Sequence, residues 1–452
     1  MEHLHLESIP LWASIPFIIM LLFIAVGPLM FHHWWERNSN KLLISLILGI
    51  PTAIWLVAKG MSLDLVHQVF FDYVPFIILL GSLFVITGGI HLSGNIQAKP
   101  AINTLFLAIG AVLASFMGTT GAAMLLIRPV ISTNLERQHK VHTILFFIAT
   151  VANCGGLLTP LGDPPLFLLY LRGAPFDWFF HLFREWMFVN GLLLIIYFFV
   201  DSYLYKKEPH ANLQLDAEQI EPIRLKGKMN FLCLIGVVAS VAFINGHHIH
   251  GIHEAHEVIF DPSISFFEKL PMIMLAFIRE ISMATCAILS LAFTPTIIRN
   301  KNFFTWIPIA EVAYLFLGIF VTMVPALLYL KINAASLGLI TPIHFYYGTG
   351  ALSAFLDNAP TAVSFYNLAL GLTSNYDCTL IARIPESLLV SISLGAVFFG
   401  AMTYIGNGPN FMVKAIAEEN KISMPSFFGY MIKFSLVVLL PIFILAQLLF
   451  IH

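Results

Sequence analysis

The chain has 452 residues, of which 58% belong to the hydrophobic set and only 11% are Asp, Glu, Lys or Arg. About a quarter of the residues of a soluble protein are charged, so a soluble enzyme, a disordered chain and a fibrous protein are excluded. The formal net charge of −2 provides no basic surface for a nucleic acid. The composition therefore predicts an all-α polytopic membrane protein that lies in a lipid bilayer.

Apolar runs long enough to span a bilayer, which takes about 20 residues, recur along the chain. We predict spans at 11–31, 42–58, 74–91, 101–133, 142–171, 187–205, 229–246, 270–292, 306–331, 342–371, 387–413 and 428–451. Most of these runs are typical of plain helices. The four at 101–133, 142–171, 342–371 and 387–413 are too long and carry Gly, Pro and polar residues at their centres. We expect the chain to be interrupted inside the membrane at these four places.

The distribution of Lys and Arg favours an outer N-terminus, since most basic residues then fall in cytoplasmic loops. This orientation requires 101–133 and 342–371 to return to the side from which they enter, as re-entrant hairpins do. The N-terminus lacks the basic stretch of a signal peptide, so the first run is predicted to be a retained span. We expect an integral multi-pass protein of the bacterial cell inner membrane.

Two stretches of the chain resemble each other in the same order. Residues 114–123 align with 353–362, and residues 156–167 align with 400–411. With the predicted orientation the two copies enter the membrane from opposite sides, which indicates two inverted-topology repeats. The alternative is coincidence between apolar stretches that are all interrupted by Gly and Pro.

A helix broken at membrane depth leaves free N–H and C=O groups, which are tolerated only inside protein or in a water-filled cavity. Its freed N-termini attract anions and its unwound carbonyls attract cations. Each predicted break also carries polar side chains, and together they predict one pocket near the midplane. Its candidate binding residues are Thr119, Thr120, Asn153, Thr159, Asp163, Asp357, Asn358, Thr361, Thr403, Asn407 and Asn410.

Two carboxylates in the breaks are the strongest candidates for Na⁺ ligands. A charged Asp in a spanning segment is costly and is by default a functional-site hypothesis, and oxygen ligands suit small hard cations. We centre the predicted site on Asp357, which would bind Na⁺ and H⁺ in turn. Both aspartates have a second interpretation, because Asp357 precedes a helix start and Asp163 precedes two prolines, as capping residues do.

Other charged residues in apolar runs are weaker candidates. Glu280 and Glu311 are possible members of a proton relay, or structural partners of buried basic groups. The histidines of the outer segment 247–269 either sense pH, bind zinc or form an exposed loop. The four cysteines are scattered, so neither a zinc motif nor a disulfide framework is indicated. No bound cofactor is predicted beyond a transported or coupling Na⁺.

Four motifs resemble those of the ion transporter superfamily, and within it NhaD-type Na⁺/H⁺ antiporters and related arsenite and citrate permeases. They are LSAFLDNAPT at 352–361, GGLLTPLGDPPL at 155–166, MGTT at 117–120 and GNGPN at 406–410. The resemblance implies inverted repeats with re-entrant hairpins, a homodimer and an elevator-type movement of a transport domain. The chain departs from the dicarboxylate transporters, which carry Ser-Asn-Thr at both hairpin tips.

We divide the chain accordingly. In the first half, scaffold helices occupy 1–100, the first hairpin and broken helix occupy 101–171, and a further scaffold helix occupies 172–205. A cytoplasmic linker follows at 206–228. In the second half, scaffold helices occupy 229–341 and include a His-rich loop at 247–269, the second hairpin and broken helix occupy 342–413, and a C-terminal helix occupies 414–452.

The leading functional hypothesis is a Na⁺(Li⁺)/H⁺ antiporter, because a carboxylate-lined pocket favours cations and repels a citrate-like trianion. The alternatives are a Na⁺- or H⁺-coupled carboxylate transporter and an arsenite efflux permease in which Cys154 contacts the substrate. An intramembrane enzyme is not supported, because no His accompanies the Ser, Asp or Cys residues of the breaks.

Overall fold

The structure is a computed structural model that describes residues 9–245, 249, 251–260, 264–373 and 379–452. Of the predicted histidine cluster, His247, His248 and His250 lie outside these residues, and the side chains of His253 and His256 are not described. Within the described part of the chain, seven helices are long and apolar enough to cross a membrane, or eight if one bent pair is a single span. The predicted all-α polytopic membrane fold is confirmed.

The first half of the chain ends in the predicted linker, 206–228. Its helices are α1 (Ile15–Met30), α2 (His32–Trp35), α3 (Asn38–Ala58), α4 (Ser62–His67), α5 (Val74–Gly88), α6 (Pro100–Met117), α7 (Thr119–Thr133), α8 (Val141–Thr150), α9 (Pro164–Leu171), α10 (Phe183–Tyr205) and α11 (His210–Glu218). A π-helical segment, Gln68–Tyr73, leads into α5, and 3₁₀ turns cover Leu11–Ser14, Cys154–Leu158 and Asp177–Leu182. Strands β1 (His91–Asn95) and β2 (Glu221–Lys226) pair antiparallel.

The second half follows β2. Its helices are α12 (Met229–Phe243), α13 (Ile252–Phe260), α14 (Phe266–Ala276), α15 (Ile278–Phe293), α16 (Thr296–Lys301), α17 (Ile307–Ile332), α18 (Pro342–Ser353), α19 (Asn358–Leu370), α20 (Glu386–Phe399), α21 (Gly408–Glu419), α22 (Phe427–Tyr430) and α23 (Leu440–Phe450). A π-helical segment, Met431–Leu439, joins α22 to α23, and 3₁₀ turns cover Ala334–Leu337 and Gly400–Met402. Strands β3 (Leu380–Ile381) and β4 (Ile384–Pro385) form a second small sheet.

The helices sort by packing into two groups. In the scaffold group, α1 and α3 pack against α17, and α5 packs against α12 and α15. In the hairpin group, α6 packs against α7 and α10, α18 packs against α19 and α20, and α10 packs against α8 and α23. The two groups meet where α5 contacts α7 and where α17 contacts α19. Helix α10 thus packs with the hairpins; the predicted division, which assigns 172–205 to the scaffold, stays a prediction.

Helices α3 and α17 show how the scaffold group packs. The face of α3 that contains Ile47 and Ile54 is exposed, as a lipid-facing surface requires, and the opposite face is buried. At the contact, Gly318 of α17 lies against Ser45 of α3 so closely that a Cβ on Gly318 would be 2.7 Å from Ser45 Oγ. Lipid provides no hydrophobic force between helices, so small residues that permit close backbone approach stabilise such pairs.

The predicted single span over 270–292 is wrong in one respect. Helices α14 and α15 meet at Phe277 at an angle of 65°. The backbone of Phe277 (φ −104°, ψ 16°) is not helical, and its N–H bonds to the carbonyls of Ile273 and Leu275 close α14. Nothing in the apolar periodicity marks this break, because neither Gly nor Pro lies at the bend.

A buried ionic cluster joins the base of the first hairpin to α10. Arg137 Nη1 lies 2.7 Å from Asp201 Oδ1, and neither side chain is more than 1% exposed. The same carboxylate oxygen is 2.8 Å from His142 Nε2, while Asn103 and Tyr197 both donate to Asp201 Oδ2 at 3.2 Å. The cluster fixes the starts of α6 and α8 relative to the end of α10.

We expect Asp201→Ala to destabilise the protein by up to about 3–5 kcal/mol, the usual effect of breaking a buried ion pair. The change removes the closer counter-charge of Arg137 and leaves only Glu208, 3.5 Å from Arg137 Nε. The measurement is thermal unfolding of the detergent-purified protein. The matched control is Glu418→Ala, which removes a partly exposed carboxylate paired with Lys414 at 2.9 Å; exposed pairs of this kind contribute about 0–1 kcal/mol. Equal unfolding temperatures for the two variants would show that the cluster contributes little.

Candidate functional site

Two helices of the hairpin group are interrupted in the same way, by a short 3₁₀ turn. In the first, the 3₁₀ turn Cys154–Leu158 separates α8 from α9. In the second, the 3₁₀ turn Gly400–Met402 separates α20 from α21. The chain is therefore interrupted within both segments, 142–171 and 387–413, for which broken helices are predicted.

Paired threonines make the same contacts in both breaks. The Thr159 hydroxyl donates to the Ser115 carbonyl, and the Thr403 hydroxyl donates to the Ala354 carbonyl at 2.5 Å. The two threonines also share an extended backbone, with φ −145° and ψ 159° for Thr159 and φ −140° and ψ 168° for Thr403. These contacts join equivalent positions of the two predicted alignments. The inverted orientation of the two copies stays a prediction.

Asp163 and Asn407 occupy equivalent N-cap positions, before α9 and α21. Their backbones agree closely, with φ −143° and ψ 142° for Asp163 and φ −150° and ψ 141° for Asn407. Neither side chain accepts a hydrogen bond from its own helix. The carboxylate of Asp163 is therefore not a side-chain cap, which was one of the two interpretations of the Asp-Pro-Pro pattern, and it remains available to other elements.

The carboxylate of Asp163 is the centre of a buried hydrogen-bond network. Thr119 Oγ1 and Asn407 Nδ2 donate to Oδ1 at 3.0 and 2.9 Å, and Asn358 Nδ2 donates to Oδ2 at 2.6 Å. All four side chains are at most 4% exposed. Hydrogen bonds to a charged acceptor are about twice as strong as neutral ones, so three of them offset much of the desolvation cost. Each half of the chain supplies two members.

Further amides extend this network between the two breaks. Asn153 Nδ2 donates to Asn410 Oδ1 at 2.7 Å, and Asn407 Nδ2 lies 3.2 Å from Asn153 Oδ1. Asn410 Nδ2 in turn lies 2.8 Å from the Gly400 carbonyl and 2.9 Å from the Thr403 carbonyl. The amides thus satisfy carbonyls that the interrupted helix leaves free, as burial demands.

Asp357 lies beside the network rather than at its centre. Its Oδ1 accepts from the backbone N–H of Ala359 at 3.0 Å, so this carboxylate caps α19, and the residue is partly exposed. The Thr361 hydroxyl donates to the Asp357 carbonyl at 2.9 Å. Asp357 directly precedes Asn358, which donates to Asp163. Among the described residues, no hydrogen-bond donor contacts the buried Oδ1 of Asn358.

Four helix N-termini meet at Asp163. Helices α7 and α19 begin at Thr119 and Asn358, which both donate to its carboxylate, and α9 and α21 follow directly after Asp163 and Asn407. Each N-terminus is equivalent to about half a positive charge. The polar contacts described for Asp163 and Asp357 include none from Lys or Arg. Helix ends and neutral donors therefore supply the positive potential here.

The remaining predicted residues lie outside the network. Thr120 lines an adjoining cavity of about 100 Å³, together with Gly118 and Thr119. Glu280 pairs with Arg279 at 2.5 Å, and Glu311 pairs with Lys41 at 2.7 Å, so both carboxylates already have a basic partner. Their role as a proton relay stays a prediction.

Among the described residues, no three His, Cys, Asp or Glu side chains converge as they do in a transition-metal site. Any cation held near Asp163 and Asp357 would need neutral oxygens to complete its coordination.

Three side chains that hold the first break were not predicted. Trp186 Nε1 donates to the Gly155 carbonyl at 3.0 Å, Asn190 Nδ2 to the Cys154 carbonyl at 3.2 Å, and Ser115 Oγ to the Gly155 carbonyl at 2.5 Å. Asn190 carries a usable signal, since an amide inside the apolar run 187–205 needs a polar partner. Trp186 carries none, because tryptophan is common at the ends of spans.

Comparison with known proteins gives one match. Residues 6–451 match the family model CitMHS_2, described as "Putative citrate transport", while no curated protein matches the chain. The predicted resemblance to the ion transporter superfamily is thereby confirmed, whereas the narrower resemblance to NhaD-type antiporters is not. Because the match spans nearly the whole chain, this protein belongs to the citrate-transport family of the ion transporter superfamily and is a multi-pass membrane transport protein.

Proposed function

We propose that this chain is a cation-coupled secondary transporter of a small carboxylate of the citrate class, with its site at Asp163. The observation that carries the proposal is the meeting of four helix N-termini around one buried carboxylate. Helix N-termini favour negative charge through their dipoles and their free N–H groups. Helix α9 contributes its dipole alone, because Pro164 and Pro165 at its start have no N–H. The family description agrees with such a substrate.

The charge at the site explains why a cation must take part. Asp163 accepts from Asn358, the residue that follows Asp357, so two acidic side chains lie in this region. A substrate with two or three carboxylates adds more negative charge in a region of low dielectric. The four helix N-termini together are equivalent to about two positive charges, which is less than the combined negative charge of the two aspartates and the substrate. Binding of the substrate therefore requires that Na⁺ or H⁺ neutralises at least one of the aspartates.

Suitable ligands for this cation lie together. The Oδ1 atom of Asn358 is a buried acceptor that no donor of the described residues contacts. It belongs to the residue that follows Asp357 and that donates to Asp163. A carboxylate, an amide oxygen and nearby carbonyls form the oxygen-only ligand set that hard cations prefer. We place the coupling ion between Asn358 and the two aspartates, and the substrate at the start of α7 and α19, near Thr120 and Thr361.

The two packing groups fit a movement of one against the other. We propose that the hairpin group carries the site and slides along the scaffold group, in an elevator-type cycle between inverted repeats. On the basis of packing we include 183–205 and 427–450 in the moving group. A homodimer in the bacterial cell inner membrane, formed through the scaffold, completes the proposal.

The test is uptake of radiolabelled citrate and succinate into proteoliposomes that contain the purified protein. Uptake is measured with an inward Na⁺ gradient and, separately, with an inward H⁺ gradient. One of the two gradients should drive accumulation of citrate or succinate above the level reached without a gradient. If neither substrate accumulates under either gradient, while the protein is monodisperse and folded, the proposal is wrong.

Asp357→Asn is expected to uncouple uptake from the cation. The amide keeps the shape and the cap of α19 but removes one of the two charges, so the apparent KM for the driving ion should rise several-fold while some downhill citrate exchange persists. Glu418→Gln is the control, since it also neutralises a carboxylate but on the exposed side of α21. An unchanged cation KM in Asp357→Asn would remove this residue from the cation site.

A second candidate function is a Na⁺/H⁺ antiporter. The observation in its favour is the pair of aspartates without a Lys or Arg partner, which suits alternate binding of Na⁺ and H⁺. In this case Na⁺ should dissipate a preformed pH gradient in proteoliposomes without any carboxylate present. An arsenite permease has less support, because Cys154 is fully buried and its carbonyl, not its thiol, makes the described polar contact.

A further inference from the structure

A large cavity lies between the scaffold group and the hairpin group, away from the Asp163 network. Its volume is about 720 Å³. The hairpin side contributes Tyr170, Ala174 and Asp177, and the scaffold side contributes Asp72 and Glu280. The distribution of Lys and Arg assigns this face to the outer side of the membrane. None of the eleven predicted binding residues lines the cavity.

Three polar bridges cross from the end of α9 to the scaffold at this cavity. Arg172 Nη2 donates to Asp72 Oδ2 at 2.7 Å and to Gln68 Oε1 at 3.3 Å. The Tyr170 hydroxyl donates to the Val241 carbonyl at 2.7 Å and accepts from Arg279 Nη1 at 3.3 Å. The Arg172–Asp72 ion pair is largely buried, where breaking it costs far more than at the surface.

The bridges and the proposed site lie at opposite ends of the short helix α9. Helix α9 has eight residues, Pro164–Leu171, which is about 12 Å of helix. Asp163 precedes its first residue and Arg172 follows its last. A rigid helix of this length transmits a displacement of one end to the other, so the Arg172 bridge holds the Asp163 network against the scaffold.

A second cavity, of about 100 Å³, lies beside Thr119 and Thr120, and Leu83 and Pro308 of the scaffold also line it. The two cavities contact opposite ends of α9, since Pro164 lines the smaller one and Leu171 the larger one.

We infer that the 720 Å³ cavity is the outer access path to the Asp163 network and that Arg172 with Asp72 is the latch that closes it. The inference rests on the proposed function. Opening of the ion pair frees the end of α9 from the scaffold and joins the cavity to the site, while closure isolates the site from the outer solution. Arg172 is thus a positioning residue that acts through α9.

The first test cross-links the latch. In a background without the native cysteines, Asp72→Cys with Arg172→Cys is treated with a short bifunctional methanethiosulfonate, because an Arg–Asp pair spans more than a direct disulfide can. Citrate uptake should stop after cross-linking and return after reduction of the same sample. A cross-linked protein that transports as fast as the reduced one overturns the inference.

The second test needs no transport. A single Thr120→Cys is exposed to an impermeant thiol reagent from the outer side, with Arg172 intact or changed to Gln. Arg172→Gln should raise the labelling rate several-fold, and Lys414→Gln, which breaks an exposed pair on α21, should leave it unchanged. Equal rates in all three proteins overturn the latch. Absence of uptake by the wild type would instead contradict the proposed function alone.

Discussion

Asp163→Asn is expected to abolish uptake without loss of folded protein. The substitution keeps the size of the side chain but turns one acceptor oxygen into an N–H donor, which then faces Thr119 and Asn407 or Asn358. Each hydrogen bond to a charged group contributes about 1.5–3 kcal/mol and 1.4 kcal/mol is a tenfold change in affinity, so uptake should fall by about a hundredfold or more. The measurement is the initial rate of citrate uptake in proteoliposomes.

The control for this variant is Glu418→Gln, which removes a negative charge from α21 outside the network and should transport at the wild-type rate. Size-exclusion profiles of the two variants separate loss of transport from loss of folding. If Asp163→Asn transports normally, the site lies elsewhere, and the meeting of helix ends at this carboxylate is structural only.

Gly162→Ala is expected to prevent assembly of the first break. A Cβ on Gly162 would lie 2.0 Å from the carbonyl oxygen of Gly156, and 2.7 Å from its carbonyl carbon. Both of these atoms belong to backbone inside the break, so no side chain can move to make room. Overpacking typically costs about 1–3 kcal/mol, and a backbone overlap this severe should exceed that range. We expect a clear fall in the yield of monodisperse protein.

Two further glycines provide a control and a parallel variant for this prediction. Gly408→Ala should be neutral, since no atom lies within 4 Å of a Cβ built there. Gly406→Ala should resemble Gly162→Ala, because its Cβ would be 2.7 Å from the Gly400 carbonyl oxygen in the second break. Wild-type yield and unfolding temperature for Gly162→Ala would contradict the close approach of the Gly162 and Gly156 backbones in the first break.

The positions of the breaks could be predicted because their causes are local. Gly, Pro and polar residues inside apolar runs mark interruptions directly, and the aligned threonines Thr159 and Thr403 make equivalent contacts. The same reasoning brought Asn153, Asn407 and Asn410 to one pocket. Interruptions without such residues were missed, as at Phe277, where only the packing of α14 and α15 decides the bend.

The division of roles between the two aspartates could not be predicted. The local patterns around Asp163 and Asp357 both suit a helix cap, and whether a side chain bonds to its own helix or to another depends on which elements surround it. In the structure Asp357 caps α19, while Asp163 accepts from three separate elements; the cation site centred on Asp357 stays a prediction. The grouping of α10 with the hairpins had no local signal either, since it depends on contacts between distant helices.

The network around Asp163 draws its members equally from both halves of the chain, and this has a consequence for fragments. A first half alone would bury the carboxylate without the amides of Asn358 and Asn407, so it should be degraded when made by itself. The exposed residues 217–220 are a suitable position at which to divide the coding sequence into two fragments. Because β2 still pairs with β1 across that cut, two pieces produced in the same cell should complement each other and restore a working transporter.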